Sequence, residues 1–347
     1  MSRVAILTPF AFPSVRGNAV TVDRIARGLT GAGLDVRVWD VSVVAEAVVE
    51  RELEAFRPAL VHAFHAYRVG PLALRLARRL ELPLVVTLTG TDANHDLFDP
   101  ARAALVRRVL ESAASLVVFH ESVAARITGP LPDLGNRLSV VPQAAALPSG
   151  PPFDLGARWA LPPRRVLFLF PAGIRAVKNP HAPLAPLARL VARYPHVRLL
   201  YAGPILDPDA GEALLGVLRR LEWARHIGAV RHDQMGSLLA QADVVLNCSV
   251  SEGGMANSIL EALATGRAVL ASDIEGNRSL IEDRVTGCLF RDEREFEAKA
   301  EELVRDPQLR ARLGAAGRAL VADRYPPERE IDGYLAVYRR QMPVACA

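Results

Sequence analysis

Runs of apolar residues with strand character alternate along the chain with longer stretches whose apolar positions recur every three or four residues. VAILTPF (4–10) precedes a helical pattern at 19–33, DVRVWDV (35–41) one at 43–57, and LVHAF (60–64) one at 69–80. LPLVVTLTG (82–90) leads into 98–113, and SLVVFH (115–120) follows. Continuous apolar strands alternating with helices of about a dozen residues predict a parallel sheet covered on both faces. The alternation pauses at QAAALPSGPPFDLGARWALPPR (143–164), where five prolines and two glycines make a linker composition. A second series starts at RVLFLF (165–170) and continues with helix 182–194, strand 197–203, helix 210–224 and a short strand at 227–230. Helix 234–241, strand 243–248, helix 256–265, strands 268–272 and 287–290, and helices 293–304 and 307–324 complete it. The reading is α/β: two doubly wound Rossmann-like domains, 1–150 and 151–325, facing a central cleft at the carboxyl ends of their strands. The segment 326–342 is a terminal helix that crosses back to the first domain.

Composition narrows this picture. A chain of 347 residues has the length of two domains, and 50% hydrophobic residues suffice for two packed cores. No run of 18 apolar residues is present, so no spanning helix is expected. The start reads as a buried strand, because Arg16 and Gly17 stand where an export cleavage site needs small residues. Cys248, Cys288 and Cys346 are scattered, with neither metal spacing nor a disulfide framework, which fits a reducing cytoplasm. The net charge is +4, and all but two of the 42 basic residues are Arg, the exceptions being Lys178 and Lys299. The basic residues mix with acids and interleave with no aromatics, which argues against a nucleic-acid partner. An anionic small ligand is reason enough for the excess; weak peripheral contact with an anionic membrane stays open. Nothing points to an obligate protein partner.

Four loops at strand ends carry candidate chemistry. In SEGGMANSILEALATG (251–266), Gly253 and Gly254 permit close backbone approach, and a helix starting near Ala256 to Ser258 offers N–H groups to a phosphate. Glu252 and Glu261 suit sugar or ribose hydroxyls, which donate to carboxylates. The plainer reading makes Glu252 a solvated loop acid and Glu261 a helix-dipole partner. PAGIRAVKNP (171–180) places Arg175 and Lys178 three apart after a strand, a pair for phosphate or two solvated cations. SVRGNAVTV (14–22) offers Gly17 for close approach and Asn18 as a helix cap, or is an ordinary helix start. VVTLTGTDANHD (85–96) presents Thr89, Gly90, Thr91 and Asp92. Among the histidines, His62 reads as a satisfied core residue, His65 and His120 lie near strand ends, and His95 reads as a surface residue. No set has metal-ligand spacing. DPD (207–209) reads as a proline turn rather than a metal motif. Nucleophile elbows, phosphate-binding P-loops and dinucleotide fingerprints are absent.

Taken together, SEGGMANSILEALATGRAVLASDIEGNRSLIEDRVTGCLF (251–290) resembles the donor-binding core of the retaining family 4 glycosyltransferases of GT-B fold. PAGIRAVKNP resembles their Arg/Lys phosphate loop, and GNAVTVDRIARGLTGAGLDVRVW their amino-terminal glycine loop and helix. LTGTD (88–92) and the Gly17–Asn18 pair resemble the branch near the selenosugar synthases and the glycosyltransferase 1 domain-containing proteins. The resemblance implies a nucleotide-sugar donor, most often UDP-linked, held by the second domain, and a small-molecule, glycan or lipid acceptor held by the first. It implies that Arg175 and Lys178 neutralise the leaving diphosphate and that Glu261 holds the ribose. Glu252 and the backbone of Gly253, Gly254, Met255, Ala256 and Asn257 would hold sugar and phosphate, with Ser258 in the same helix start. Gly228 to Val230 would meet the base, and Gly17 the diphosphate. The donor is a substrate, so no cofactor is implied, and this fold usually needs no metal.

Three departures stand out. Eight residues separate Glu252 from Glu261 where the family has seven, and the Arg175–Lys178 spacing is short. Thr89 occupies the place of a histidine near the donor sugar; Asp92, His120 and the substrate phosphate are the groups that would compensate. A nucleotide-sugar 2-epimerase and a catalytically degenerate nucleotide-sugar-binding protein therefore remain as alternatives to transfer.

Overall fold

Strands in the interior of the two sheets are buried along all or nearly all of their length, as continuous apolar runs require. The computed structural model describes residues 2–14, 16–147 and 150–342. Cys346, Val15 of the 14–22 loop, and Pro148 and Ser149 of the linker lie outside the described residues. The chain divides into two units, Met1–Ala144 with Pro326–Ala347, and Ala145–Tyr325.

In the first unit, β1 (Arg3–Thr8), α1 (Gly17–Gly31), β2 (Asp35–Asp40), α2 (Glu46–Phe56), β3 (Leu60–Phe64) and α3 (Gly70–Arg79) come first. Then follow β4 (Leu84–Thr87), α4 (Ala103–Ser112), β5 (Ser115–Val118), α5 (Glu121–Thr128) and β6 (Leu138–Val140). The sheet is parallel, in the order β2-β1-β3-β4-β5-β6. Alternate residues of β1 feed opposite cores. Val4 and Ile6 join Val22 and Ile25 of α1, while Ala5 and Leu7 join Val49 and Leu53 of α2. Each buried Val, Ile or Leu among them contributes about 1.5–3 kcal/mol by leaving water.

The last helix, α13 (Pro327–Arg339), belongs to this unit and packs on α1. A Cβ on Gly28 would stand 2.3 Å from Ile331, so glycine lets the helices approach. Arg24 Nε meets Glu330 at 2.7 Å, with both side chains nearly covered. Tyr334 and Tyr338 enter the core beside His62, as the sequence reading of that histidine expects. His62 Nδ1 lies 2.6 Å from the Tyr338 hydroxyl, and Nε2 lies 2.7 Å from Thr87 Oγ1. Burial lowers its pKa to about 3, so the ring stays neutral.

The second unit repeats the plan. It contains β7 (Val166–Phe170), α6 (Leu184–Arg193), β8 (Val197–Tyr201), α7 (Pro208–Leu218), β9 (Ala224–His226) and α8 (His232–Ala240). Then come β10 (Val244–Asn247), α9 (Asn257–Ala264), β11 (Ala268–Ser272), α10 (Glu275–Arg278), β12 (Cys288–Phe290), α11 (Glu293–Arg305) and α12 (Pro307–Arg324). Its parallel sheet runs β12-β11-β10-β7-β8-β9.

Several boundaries differ from the pattern-based ones. The strand expected at 227–230 lies at 224–226 instead, because Gly228 turns the chain at φ +79°. Strand β4 stops at Thr87, and Thr89 and Gly90 belong to the loop, with Gly90 at φ +139°. The helix expected at 98–113 starts at Ala103, preceded by a wide turn at Asp92–Asp96. Helices α5 and α10 and strand β6 were not anticipated, since each is too short to show a period.

A neutral buried histidine makes stability pH-dependent with a definite sign. The unfolded chain takes up a proton near pH 6.5 and the folded one does not, so stability falls as pH drops below that value. Urea unfolding of His62→Gln between pH 6 and pH 5 is expected to show a slope shallower than wild type by about 1 kcal/mol per pH unit. Equal slopes would mean that the ring is charged in place.

Candidate functional site

A doubly wound sheet opens a crevice where the strand order reverses, because loops leaving adjacent strands there diverge to opposite faces. The reversal lies between β1 and β3 in the first sheet and between β7 and β10 in the second. Most of the residues singled out from sequence sit on loops beside these two points.

In the second unit the loop after β7 carries Arg175 and then one tight turn, Ala176–Lys178. The loop after β10 carries Glu252, and the backbone of Val250 donates to the Val177 carbonyl at 2.9 Å, strapping the two loops together. Lys178 Nζ meets Glu252 Oε1 at 2.5 Å, both side chains largely covered. The same oxygen accepts from Ser249 Oγ at 2.6 Å and Asn247 Nδ2 at 3.0 Å. Burial alone would raise the Glu252 carboxyl. The Lys178 charge and the hydrogen bonds from Lys178, Ser249 and Asn247 outweigh it and hold the pKa below its ordinary 4.5. Glu252 is therefore a paired acid, not the solvated one of the plainer sequence reading.

A further layer holds this loop from behind. Ser272 Oγ donates to the Ser249 carbonyl at 2.6 Å, and Asn277 Nδ2 donates to the Ser272 carbonyl at 2.9 Å. Ser279 Oγ donates to the Gly254 carbonyl at 2.7 Å, with Gly254 at φ +116°, where a side chain would strain the backbone. At Gly276 a Cβ would come within 2.6 Å of Glu252 Cβ, so α10 closes tightly under the acid. None of these four residues was singled out from the sequence. The only signal was their place in the 251–290 block.

Helix α9 begins at Asn257, after an extended Ala256 whose side chain supplies no cap. Met255 and Ala256 are buried, leaving their backbone as the part a ligand can meet; Gly253 and Ser258 are half-buried. Glu261 lies one turn into α9, and His232 Nε2 meets its Oε1 at 2.8 Å. His232 opens α8 and escaped the sequence reading, for RHDQ at a helix start shows no periodic or motif signal. Gly228 and Val230 lie on the loop after β9, where the Gly228 carbonyl accepts from Gly203 N at 2.8 Å.

In the first unit, Gly17 starts α1 at the carboxyl end of β1. Asn18 does not cap the helix, which begins one residue before it. Its Nδ2 donates instead to Thr89 Oγ1 at 3.2 Å, joining the β1 and β4 loops. Asp92 is fully buried. Its carboxylate accepts from the backbone N–H groups of Ala66, Thr89, Gly90 and Ala93 at 2.8–3.1 Å, which binds the loops after β3 and β4 together. His65, at φ +92°, accepts at Nδ1 from Arg68 N and lies 3.0 Å from Thr91 Oγ1 through Nε2. His120 caps α5 through Nδ1, and burial lowers its pKa. His95 is exposed, and Asp207 caps α7, as a turn reading of DPD expects.

Comparison with known proteins follows the same division. A family model for group 1 glycosyl transferases matches residues 165–306, and one for a glycosyl transferase 4-like domain matches 40–143. The chain is 30% identical to D-inositol 3-phosphate glycosyltransferase of Segniliparus rotundus, over 82% of this chain and 67% of that one. It belongs to the GT-B glycosyltransferases. Glycosyltransferase 1 domain-containing protein 1 of Xenopus tropicalis is 26% identical over 92% of both chains. The fold is shared with HepE of Anabaena, solved in complex with UDP-glucose, at a TM-score of 0.77 and 16% identity over 97% of this chain and 100% of that one. In this glycosyltransferase no helix among the described residues is long and apolar enough to cross a membrane.

The lysine that neutralises Glu252 has a measurable signature. With a lowered carboxyl pKa the pair's contribution is complete above the ordinary value and is lost as pH falls through the folded one. Removing the charge in Lys178→Met leaves burial as the largest influence and shifts the carboxyl pKa upward. Urea unfolding is then expected to show the variant gaining stability from pH 7 to pH 5 relative to wild type. A parallel pH dependence would mean that Lys178 does not govern Glu252.

Proposed function

We propose that the enzyme transfers a sugar from a nucleotide-sugar donor, UDP-linked, to a hydroxyl-bearing acceptor, with retention at the anomeric carbon and without a metal. The observation that carries this reading is the Lys178–Glu252 pair at the reversal of the second sheet, beside the start of α9. The bound UDP-glucose of HepE, a protein of the same fold, supports the choice of donor.

Lys178 and Arg175 take up charge as the bond from anomeric carbon to phosphate oxygen breaks, aided by the positive end of α9. The acceptor hydroxyl oxygen forms the new bond on the same face, and its proton passes to the departing phosphate oxygen. The products are a glycoside and the nucleoside diphosphate, and no protein nucleophile enters. Glu252 positions Lys178, and the backbone of Gly253 to Asn257 meets sugar and phosphate. Glu261 accepts from the ribose hydroxyls, steadied by His232. Gly228 to Val230 meet the base. Gly17, Asn18 and Thr89 line the acceptor-side unit. Asp92 acts through the loops it binds and is a positioning residue, since four N–H groups already occupy its oxygens. The same reading places the chain near the glycosyltransferase 1 domain-containing branch and in the cytoplasm, where the buried thiols of Cys248 and Cys288 stay reduced.

Thermal shift with UDP is expected to raise the melting temperature, since a ligand at a hundred times its dissociation constant adds about 2.7 kcal/mol. Lys178→Ala is expected to lower kcat about a hundredfold, and Glu261→Gln to raise the donor KM about tenfold. Near wild-type turnover in both would remove them from the site. Conversion of UDP-GlcNAc alone to UDP and a mannosamine would establish epimerisation instead. UDP binding without turnover on a broad acceptor panel would establish a binding protein.

A further inference from the structure

We infer that the acceptor carries an anionic group, phosphate or carboxylate, held by Arg16 and Arg68 at the strand-order reversal of the first sheet. The inference rests on the transferase reading and names the acceptor class it leaves open. Arg16 ends the loop that leaves β1, and Arg68 lies on the loop that leaves β3, the two strands that flank the reversal. Both guanidinium groups gather on one ring. The Arg16 Cζ is 3.9 Å from the Phe10 ring centroid, and the Arg68 Cζ is 5.9 Å from it. The two charges are therefore no more than about 10 Å apart, roughly one screening length at 0.1 M salt.

Neither guanidinium forms a salt bridge among the described residues. Elsewhere in this unit Arg24, Arg27, Arg37, Arg75, Arg79 and Arg102 each meet a carboxylate. Nearby acids are committed. Asp92 is saturated by backbone N–H groups, and Asp96 pairs with Arg102 at 2.7 Å. Asp40 accepts from Ala11 N at 2.7 Å and from Ser42, contacts that pin the Phe10 loop. The Thr8 hydroxyl adds a bond to the Phe10 carbonyl at 3.0 Å, and the Arg68 backbone is tied to His65. Two like charges thus sit on a braced aromatic platform, and no carboxylate among the described residues is in salt-bridge contact with either. A guanidinium stacked on a ring keeps its N–H edge available for the fork that carboxylates and phosphates accept. A neutral sugar would leave both charges uncompensated, whereas an anion between them is attracted to both.

Calorimetric titration of the UDP-saturated enzyme with glucose 6-phosphate, glucuronate and glucose tests this with ligands that differ mainly in charge. At least one charged sugar is expected to bind about tenfold or more tightly than glucose, and less tightly as salt is raised. In Arg16→Met and Arg68→Met, which keep an apolar contact on Phe10, that advantage is expected to vanish. Glucose binding and UDP affinity should stay within about twofold of wild type, a pattern that loop collapse would not produce. Equal binding of all three sugars by wild type, or charged-sugar binding indifferent to both substitutions, would overturn the inference. So would a loss of UDP affinity in the variants, which would assign the two cations to the donor. If wild type binds no UDP, the donor reading fails by itself, and the same titrations without UDP still decide the anion site.

Discussion

A carboxylate placed in the interior at the carboxyl end of β10 has to be neutralised, and that requirement organises the second unit's loops. Glu252 answers it with Lys178 from across the reversal of strand order and with Asn247 and Ser249 from its own loop. The ion pair can exist only while the β7 loop is held against the β10 loop, which the Val250–Val177 backbone bond ensures. It can be buried only because Gly276 lets α10 close under the acid. A buried pair gives little net stability, since desolvation offsets most of the attraction, but losing one partner is costly. Its value lies in geometry: the ammonium group is held in one place, next to a helix start.

The first unit solves a similar problem with backbone instead of a counter-ion. Asp92 is charged by residue type and wholly buried, and four N–H groups from two loops surround it. The loops after β3 and β4 are thereby locked at the edge where Asn18 reaches Thr89. Below them, His62 joins β3 to α13 through Tyr338 and to β4 through Thr87. The last helix thus supports β3 and β4, whose loops carry Thr89 and Asp92. A neutral ring is required there, because a buried imidazolium would have no partner acid in reach of either nitrogen.

Much of this was legible in the sequence. The alternation of apolar runs and helical periods foretold two parallel sheets, and the family motifs foretold a transferase fold. Lys178, Glu252 and Glu261 were singled out from residue type and loop position alone. His232 was not, because its meaning depends on a carboxylate 29 residues away. Asn277, Ser272, Ser279 and Gly276 were not, because small polar residues and glycine carry no individual signal until their neighbours are known. Asn18 was read as a helix cap, a local role that a distant threonine displaced.

The chain's own order of residues determined the elements, the doubly wound class and the loops where chemistry could lie. Those features follow from periodicity and turn chemistry within a few neighbouring residues. Only the tertiary structure decided which charges meet. Lys178 and Glu252 are 74 residues apart, and His62 and Tyr338 are 276 apart. Whether two side chains so separated form a pair depends on strand order and on how closely a glycine lets an element approach, and neither is written in any short window. The gathering of Arg16 and Arg68 on Phe10 is of the same kind: three ordinary residues on two loops, made into one charged surface by the adjacency of β1 and β3.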